Sequence, residues 1–324
     1  MVATAPSLRI VFFGTPEFAV STLHALYESR HQVVGVVTQP DRARGRGQKS
    51  QPGPVKQLAL QQGSPVLQPE QLRDEDFLAS LRALQADLGV VAAYGRILTD
   101  AVLQVPRRGL INVHASLLPK YRGAAPIHRA IMAGERETGV TIMRVVKALD
   151  AGPMIAKVSH TIDHNDTSSD VERDLARLGA RALVDSVDAS AEGRATETPQ
   201  EDEQATYASK IERADGIISW SRPAIDIHNQ IRGLHPWPHA FSELDGERII
   251  VLSSEVELDA PKTQAEPGTI LDAHGDQLKV QTGDGVLRLL SLQRAGKREV
   301  SARDFLAGRP IETGARFLTA RLGS

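Results

Sequence analysis

Three polar residues stand where an open α/β sheet would place its chemistry. Asn112 and His114 close the apolar run 110–113, and Asp150 lies in the segment ALDAGPM at 148–154. If 110–113 is a strand, residues two apart face the same side, so an amide donor and an imidazole share one cavity. Asp150 follows a second apolar run, 140–145, and sits beside a Gly-Pro turn. A carboxylate there can accept a hydrogen bond from one ring nitrogen of His114, fix the tautomer and leave the other nitrogen as a base. Each residue alone has a plainer reading. A histidine after a strand is often structural, an aspartate in a turn often closes an Asx-turn, and Asn112 can cap its strand. No spacing rule joins the three.

The elements that would position them alternate along the chain. Residues 8–13 form a β-branched and aromatic run ending at Gly14. Thr15 then reads as a helix cap with Pro16 at the first helical position, and a helix follows to about 30. A second strand at 33–38 completes a βαβ unit. Helical patterns at 55–62, 70–84, 126–133 and 168–189 alternate with strands at 86–93 and 110–113 and a later strand pair at 140–145 and 154–158. The fold class expected is a Rossmann-like open parallel-type sheet with helices on both faces, whose ligands bind at the carboxyl ends of the strands. The stretch AEGRATETPQEDEQ at 191–204 is polar and nearly free of large apolar residues, which suits a linker. Beyond it, short strand-like runs near 248–252, 268–271, 278–281 and 286–292 are separated by DG, HGD and GDG turns. That pattern predicts a small C-terminal β-barrel of the OB-like kind. The expected division is 1–190, a linker at 191–209, and 210–324.

Composition removes several classes of function. The 324 residues contain no cysteine, which excludes disulfides, thiolate zinc sites and cysteine nucleophiles and fits a reducing cytoplasm. No apolar run approaches the roughly 18 residues of a membrane-spanning helix, and the N-terminus lacks the pattern of a signal peptide. Gly14-Thr15-Pro16 does not have the spacing of a dinucleotide fingerprint, and there is no phosphate-loop lysine motif. The formal net charge of -2 gives no overall signal for nucleic acid, so any basic surface is local. Two places qualify. The Gly/Pro-rich loop 39–54 carries Arg42, Arg44, Arg46 and Lys49 against Asp41, and 286–321 holds eight Lys or Arg against three Asp or Glu. Solvated surface charge is the plainer reading of both. Trp220 and Trp237 read as packing residues.

The string NVHASLLPKYRGAAPI at 112–127 resembles the signature of the 10-formyltetrahydrofolate-dependent formyltransferases, which pairs Asn-x-His with a Ser-Leu-Leu-Pro turn. LDAGPM resembles that family's aspartate loop. Three further features are similar to the tRNA-acting branch: RIVFFGTPEFAV near the start, TQPDRARGRGQK followed by PGPVK, and a C-terminal region containing GIISW and HPWPHAF. Ala115 and Lys120 depart from the more usual glycine or proline and arginine, and leave the polar trio in place. The resemblance implies acyl transfer without a metal. The donor would be 10-formyltetrahydrofolate and the acceptor the methionine amino group of initiator methionyl-tRNA. Asn112, His114 and Asp150 would be catalytic. Ser116, Leu117, Leu118 and Pro119 would bound the folate pocket together with the turn at Asp150. Arg46, and next Arg42, would meet the acceptor end of the tRNA, and the enzyme would work in the cytoplasm as a monomer. Three rivals remain: a formyltransferase for a small amine, a hydrolase releasing formate with the same trio, and a non-catalytic nucleotide-binding domain joined to a nucleic-acid-binding barrel.

Overall fold

The computed structural model describes residues 6–41, 43–44, 49–258, 264–308 and 310–320. The chain divides into two compact units, the first made of 1–126, 137–161 and 172–208, the second of 127–136, 162–171 and 209–324.

The first unit is built on seven strands: β1 (Arg9–Gly14), β2 (Gln32–Val37), β3 (Val66–Leu67), β4 (Leu88–Ala92), β5 (Leu110–His114), β6 (Glu137–Arg144) and β7 (Met154–Thr161). Their order across the sheet is β7-β6-β5-β4-β1-β2-β3. The five strands from β5 to β3 run parallel, while β6 is antiparallel to β5 and β7 antiparallel to β6. This is a Rossmann-like α/β sheet with an antiparallel hairpin on one edge. Ile10, Val11, Phe12 and Phe13 of β1 are all fully buried, as expected of a central parallel strand covered on both faces. The edge strand β7 instead alternates partly buried and exposed residues along its second half.

The chain leaves β1 towards β2 and β3, then returns to β4 on the other side of β1. The reversal of strand order therefore lies between β1 and β4, and β5 is the next strand along. Open α/β sheets bind ligands at such a point, outside the carboxyl ends of the strands. The helix after β1 is Glu17–Glu28, and Pro16 occupies its cap position without a side-chain cap bond. Thr15 is thus not the cap that the sequence suggests. Its hydroxyl donates to the Tyr94 carbonyl at 3.2 Å, tying the end of β1 to the loop after β4. The helix expected over 70–84 begins only at Glu75, because the Asp74 side chain accepts from Asp76 N–H and caps it there. Phe77, Leu78 and Leu81 of this helix pack with Val11, Phe13, Tyr94 and Leu110 in one core cluster.

The expected division of the chain differs from the observed grouping at 127–136 and 162–171, which cluster with the C-terminal unit, and at 191–208, which clusters with the first. The polar stretch read as a linker is held by hydrogen bonds where it lacks apolar side chains to bury. Thr198 exchanges two backbone bonds of 2.8 Å with Met154, and Tyr207–Ala208 pairs in parallel with Arg122–Gly123.

The second unit contains β8 (Ala240–Leu244), β9 (Glu247–Glu257), β10 (Ile270–His274), β11 (Gln277–Gln281), β12 (Val286–Arg294) and β13 (Glu299–Ser301), paired antiparallel in the order β8-β9-β12-β11-β10, with β13 also on β12. The two ends of this order are joined by the C-terminal segment. Leu318 exchanges backbone bonds with Glu243 of β8, while Phe317 N–H donates to Gly268 and Ile270 N–H donates to Ala315. These bonds draw the sheet into a barrel and leave few strand edges open. Its core gathers Ile218, Trp220, Ile227, Ile249, Val251, Leu278, Leu287, Leu289 and Phe317. Trp220 is a packing residue, with its indole N–H on Ser242 Oγ at 2.9 Å and its ring 5.4 Å from Phe317. Trp237 is not, since it is 51% exposed.

Candidate active site

Asn112 and His114 occupy alternate positions near the carboxyl end of β5, opposite Met143 and Thr141 of β6. Strand periodicity sends both side chains to the same face. His114 is buried, at 5% exposure, and Asn112 is half-buried. Among the described residues the Asn112 side-chain amide has no hydrogen-bond partner, so its donors are available to a ligand.

His114 is held from two sides. Its Nε2 lies 3.0 Å from the Tyr121 carbonyl oxygen, and its Nδ1 lies 3.7 Å from Asp150 Oδ2. A carbonyl only accepts, so the neutral ring carries its hydrogen on Nε2 and donates it to Tyr121. Nδ1 then holds the lone pair and faces the carboxylate beyond hydrogen-bonding distance. The expected arrangement had Asp150 accepting from one ring nitrogen and the other left free. The structure assigns the orienting bond to Tyr121, because the 116–123 turn folds its backbone back onto the ring. Sequence reasoning missed this contact, since a main-chain carbonyl leaves no mark in residue types.

Asp150 is placed by backbone. Gly123 N–H donates to its Oδ2 at 2.8 Å, and Asp150 itself has φ of 47°. Tyr121 likewise has φ of 60°. Left-handed conformations at two residues with side chains, both touching the histidine, put local backbone strain at this one place. Two glycines make the approach possible. A Cβ on Gly152 would lie 1.9 Å from the Arg144 carbonyl oxygen, and one on Gly123, whose φ is 122°, would lie 2.7 Å from the Ala208 carbonyl oxygen.

The turn proposed for folate has a specific internal order. The Ser116 hydroxyl donates to the Lys120 carbonyl at 2.6 Å, while Thr141 Oγ1 donates to the Ser116 carbonyl and accepts from Leu118 N–H. Lys157 Nζ reaches the Leu118 carbonyl at 2.8 Å. Ser116 and Leu118 are fully buried. Of the four residues, Leu117 and Pro119 retain partly exposed side chains, so the turn offers a ligand mainly apolar surface. The loop 93–99 stands at the same end of the sheet and was passed over in the sequence. Thr15 Oγ1 and Gln39 Nε2 both donate to the Tyr94 carbonyl, Arg96 holds the Pro69 and Glu70 carbonyls, and Ile97 is 81% exposed. Only the strand order, which places β4 at the reversal, would have drawn attention to it.

Arg42 and Arg46 lie outside the described residues. The base of their loop is fixed. Asp41, the acid expected to offset the loop's cations, accepts from Lys56 Nζ and from Gln68 Nε2, and these two donors hold its carboxyl below the usual range. In the second unit three of the C-terminal cations among the described residues are also paired: Arg288 with Glu255 and Glu257, Arg294 with Glu247, and Arg316 with Glu266. Lys297, Arg298 and Arg303 are exposed and form no close ion pair among the described residues, although Arg303 acts at longer range on the Asp276 carboxylate. The basic face predicted over 286–321 is therefore narrower than its composition suggests.

Residues 8–187 match the family model described as formyl transferase, and 210–310 match the model of its C-terminal domain. The chain belongs to the formyl transferase family. Among this family's curated members, the methionyl-tRNA formyltransferase of Methylococcus capsulatus is 49% identical over 299 residues, spanning 92% of this chain and 96% of that one. The protein of the same name from Stutzerimonas stutzeri is 49% identical over 302 residues, spanning 93% and 95%. Solved structures share the fold. The sugar 3N-formyl transferase WlaRD, determined in the presence of dTDP and 5-N-formyl-THF, superposes with a TM-score of 0.67 at 19% identity over 90% of this chain and 99% of its own. HypX of Aquifex aeolicus superposes at 0.64 with 16% identity over 95% of this chain and 49% of its own. Among the described residues no helix is long and apolar enough to cross a membrane, and no three His, Asp or Glu side chains gather as metal ligands would.

Proposed function

We propose that the chain transfers the formyl group of 10-formyltetrahydrofolate to the methionine amino group of initiator methionyl-tRNA, giving N-formylmethionyl-tRNA for translation initiation. The observation that carries this reading is the His114 ring, set at the carboxyl end of β5 with Nε2 on the Tyr121 carbonyl and Nδ1 open towards Asp150 at 3.7 Å. The near-full-length identity to proteins named methionyl-tRNA formyltransferase selects the acceptor.

The chemistry needs no protein nucleophile. An α-amino group has an ordinary pKa of about 7.7–8.0, so a fraction is neutral near neutral pH. Its nitrogen bonds to the formyl carbon, and negative charge builds on the formyl oxygen. The unpartnered amide of Asn112 donates to that oxygen, a contribution of about 2.7–4 kcal/mol, or roughly 10²–10³ in rate. The attacking nitrogen loses a proton to Nδ1 of His114, the ring nitrogen that carries the lone pair. The Asp150 carboxylate opposes the positive charge then formed, as the aspartate of hydrolase triads does. The same proton passes to the folate nitrogen as its bond to the formyl carbon breaks. Acid–base assistance of this kind supplies roughly 10²–10⁴ in rate. Leu117, Pro119 and the turn at Asp150 bound the donor, with Ser116 and Leu118 buried behind them as support.

The loop carrying Arg42 and Arg46 holds the acceptor end of the tRNA, and Lys297, Arg298 and Arg303 add phosphate contacts whose strength falls with salt. The same reading places a monomeric enzyme in the cytoplasm. Radiolabelled formyl donor, offered with charged initiator tRNA, with small amines and with neither, tests the assignment. Label should appear on the charged tRNA. Preferred transfer to a small amine, or formate release without tRNA, would replace this reading by the corresponding rival.

A further inference from the structure

Gln200 belongs to the polar stretch that composition marks as a linker, yet it reaches the turn that carries Asp150. Its Nε2 donates to the Asp150 and Gly152 carbonyls, each at 2.8 Å. Its Oε1 accepts from Arg122 Nε at 3.0 Å and Nη2 at 2.8 Å, and Arg122 Nη2 also binds Asp202 Oδ1 at 2.7 Å. Arg122 is 4% exposed. Both ends of the Gln200 amide are thus saturated, and its orientation follows from its partners: the oxygen must face the guanidinium and the nitrogen the two carbonyls.

The neighbours of Arg122 are the residues that hold the trio. Tyr121 supplies the carbonyl on His114 Nε2, and Gly123 supplies the N–H on Asp150 Oδ2. The same stretch is held in turn from 206–208, where Thr206 Oγ1 accepts from Tyr121 N–H and the Thr206 carbonyl accepts from Arg122 N–H. The segment 200–208 therefore grips the two backbone pieces that place His114 and Asp150. Asp150 sits at a positive φ, a conformation that persists only where its surroundings impose it. The two hydrogen bonds that the Gln200 amide, oriented by the Arg122 guanidinium, gives to the carbonyls of this turn are such an imposition.

We propose that Gln200 is a positioning residue for the formyl transfer, acting through the Asp150 turn, with Arg122 fixing the Gln200 amide. The proposal rests on the reading of Asp150 as part of the active site. Gln200 touches no reacting atom in this scheme. Its loss displaces the carboxylate from Nδ1 of His114 and leaves both substrates bound as before.

The test is steady-state formyl transfer to charged initiator tRNA by the full-length wild type, Gln200→Met, Asp150→Ala and the double variant, with thermal unfolding as a check of folding. Gln200→Met should lower kcat about 10- to 100-fold, the scale expected when a catalytic group is misplaced by an ångström or less. KM for both substrates should stay within about twofold, and in the Asp150→Ala background the same change should cost no more than about twofold. Asp202→Asn, at a carboxylate that is 82% exposed, should lower kcat by roughly 2- to 5-fold by loosening Arg122, and it carries the same cycle if Gln200→Met does not fold. An unchanged kcat, a loss confined to KM, or an equal fold-loss in both backgrounds would overturn the proposal. Full activity of Asp150→Ala would instead remove the active-site assignment, and the role of Gln200 with it.

Discussion

The rim of the first unit and the helix of the second each bury one histidine, and the two are bound differently. His114 is 5% exposed and His228, on the helix Ala224–Gly233, is 3% exposed. His228 has both ring nitrogens engaged: Nδ1 lies 3.2 Å from Ser254 Oγ and Nε2 lies 3.0 Å from the His164 carbonyl, with the His164 ring stacked at 4.8 Å. His114 has one nitrogen engaged and the other facing a carboxylate without a bond. Burial alone does not separate a structural histidine from a chemical one. The proposed role of His114 rests instead on its unfinished hydrogen-bond inventory, because a ring with both nitrogens occupied must break a bond before it can move a proton.

The sharpest way to break this contrast is to remove each ring in turn. His114→Ala should lower kcat for formyl transfer by roughly 10²–10⁴, a loss far larger than the drop in denaturation midpoint from its single hydrogen bond to the Tyr121 carbonyl. His228→Ala should do the reverse, with activity per folded molecule retained. Leaving the buried Ser254 Oγ without its partner, and the His164 carbonyl without its donor, costs about 1–3 kcal/mol, read as a lower denaturation midpoint. Equal losses of activity in the two variants would dissolve the distinction.

A smaller effect sharpens the rim itself. Asn112→Ala removes an amide whose donors have no partner among the described residues, so the fold should lose almost nothing. The rate should fall by roughly 10²–10³, or about 2.7–4 kcal/mol of transition-state stabilisation. Single-turnover transfer separates this from a binding defect. A loss in KM with kcat unchanged would assign Asn112 to ground-state binding in place of oxyanion stabilisation.

What the residues revealed beforehand follows the same division between side chains and backbone. Asn112, His114 and Asp150 stand out as candidates because strand periodicity and the likeness to a family signature are written in residue types, although no spacing rule joins the three. The parallel sheet was readable from the apolar runs of β1, β2, β4 and β5, and the barrel from its turn residues. Tyr121 was not readable, because it acts through its carbonyl, and any residue offers one. Gln200 was hidden by its surroundings, since a polar stretch with few apolar residues looks the same whether it is solvated or hydrogen-bonded in place. Thr15 was misread as a cap because its partner, the Tyr94 carbonyl, lies 79 positions away. Long-range contacts made by main-chain atoms have no local signature.

The least of the expected effects concerns acid. Burial pushes the His228 ring below its ordinary pKa, against the opposing hydrogen bond to the His164 carbonyl and with the charge of Arg232 adding to the shift, and burial does the same to His239 and His128 in the same unit. A ring whose pKa is lowered by folding binds fewer protons than it does in the unfolded chain. Stability then rises with pH wherever the unfolded state holds more protons. The contribution of these rings is therefore complete above about pH 6.5, the unfolded value for histidine. It is lost as the pH falls from there towards the folded values. Unfolding of the second unit, followed by calorimetry between neutral and mildly acidic pH, should show a falling midpoint over that window. His228→Gln can still reach one of the two partners but cannot take up a proton, so its midpoint should start lower and fall less steeply. A slope as steep as that of the wild type would mean that other groups carry the acid sensitivity, and that the paired nitrogens of His228 matter for packing alone.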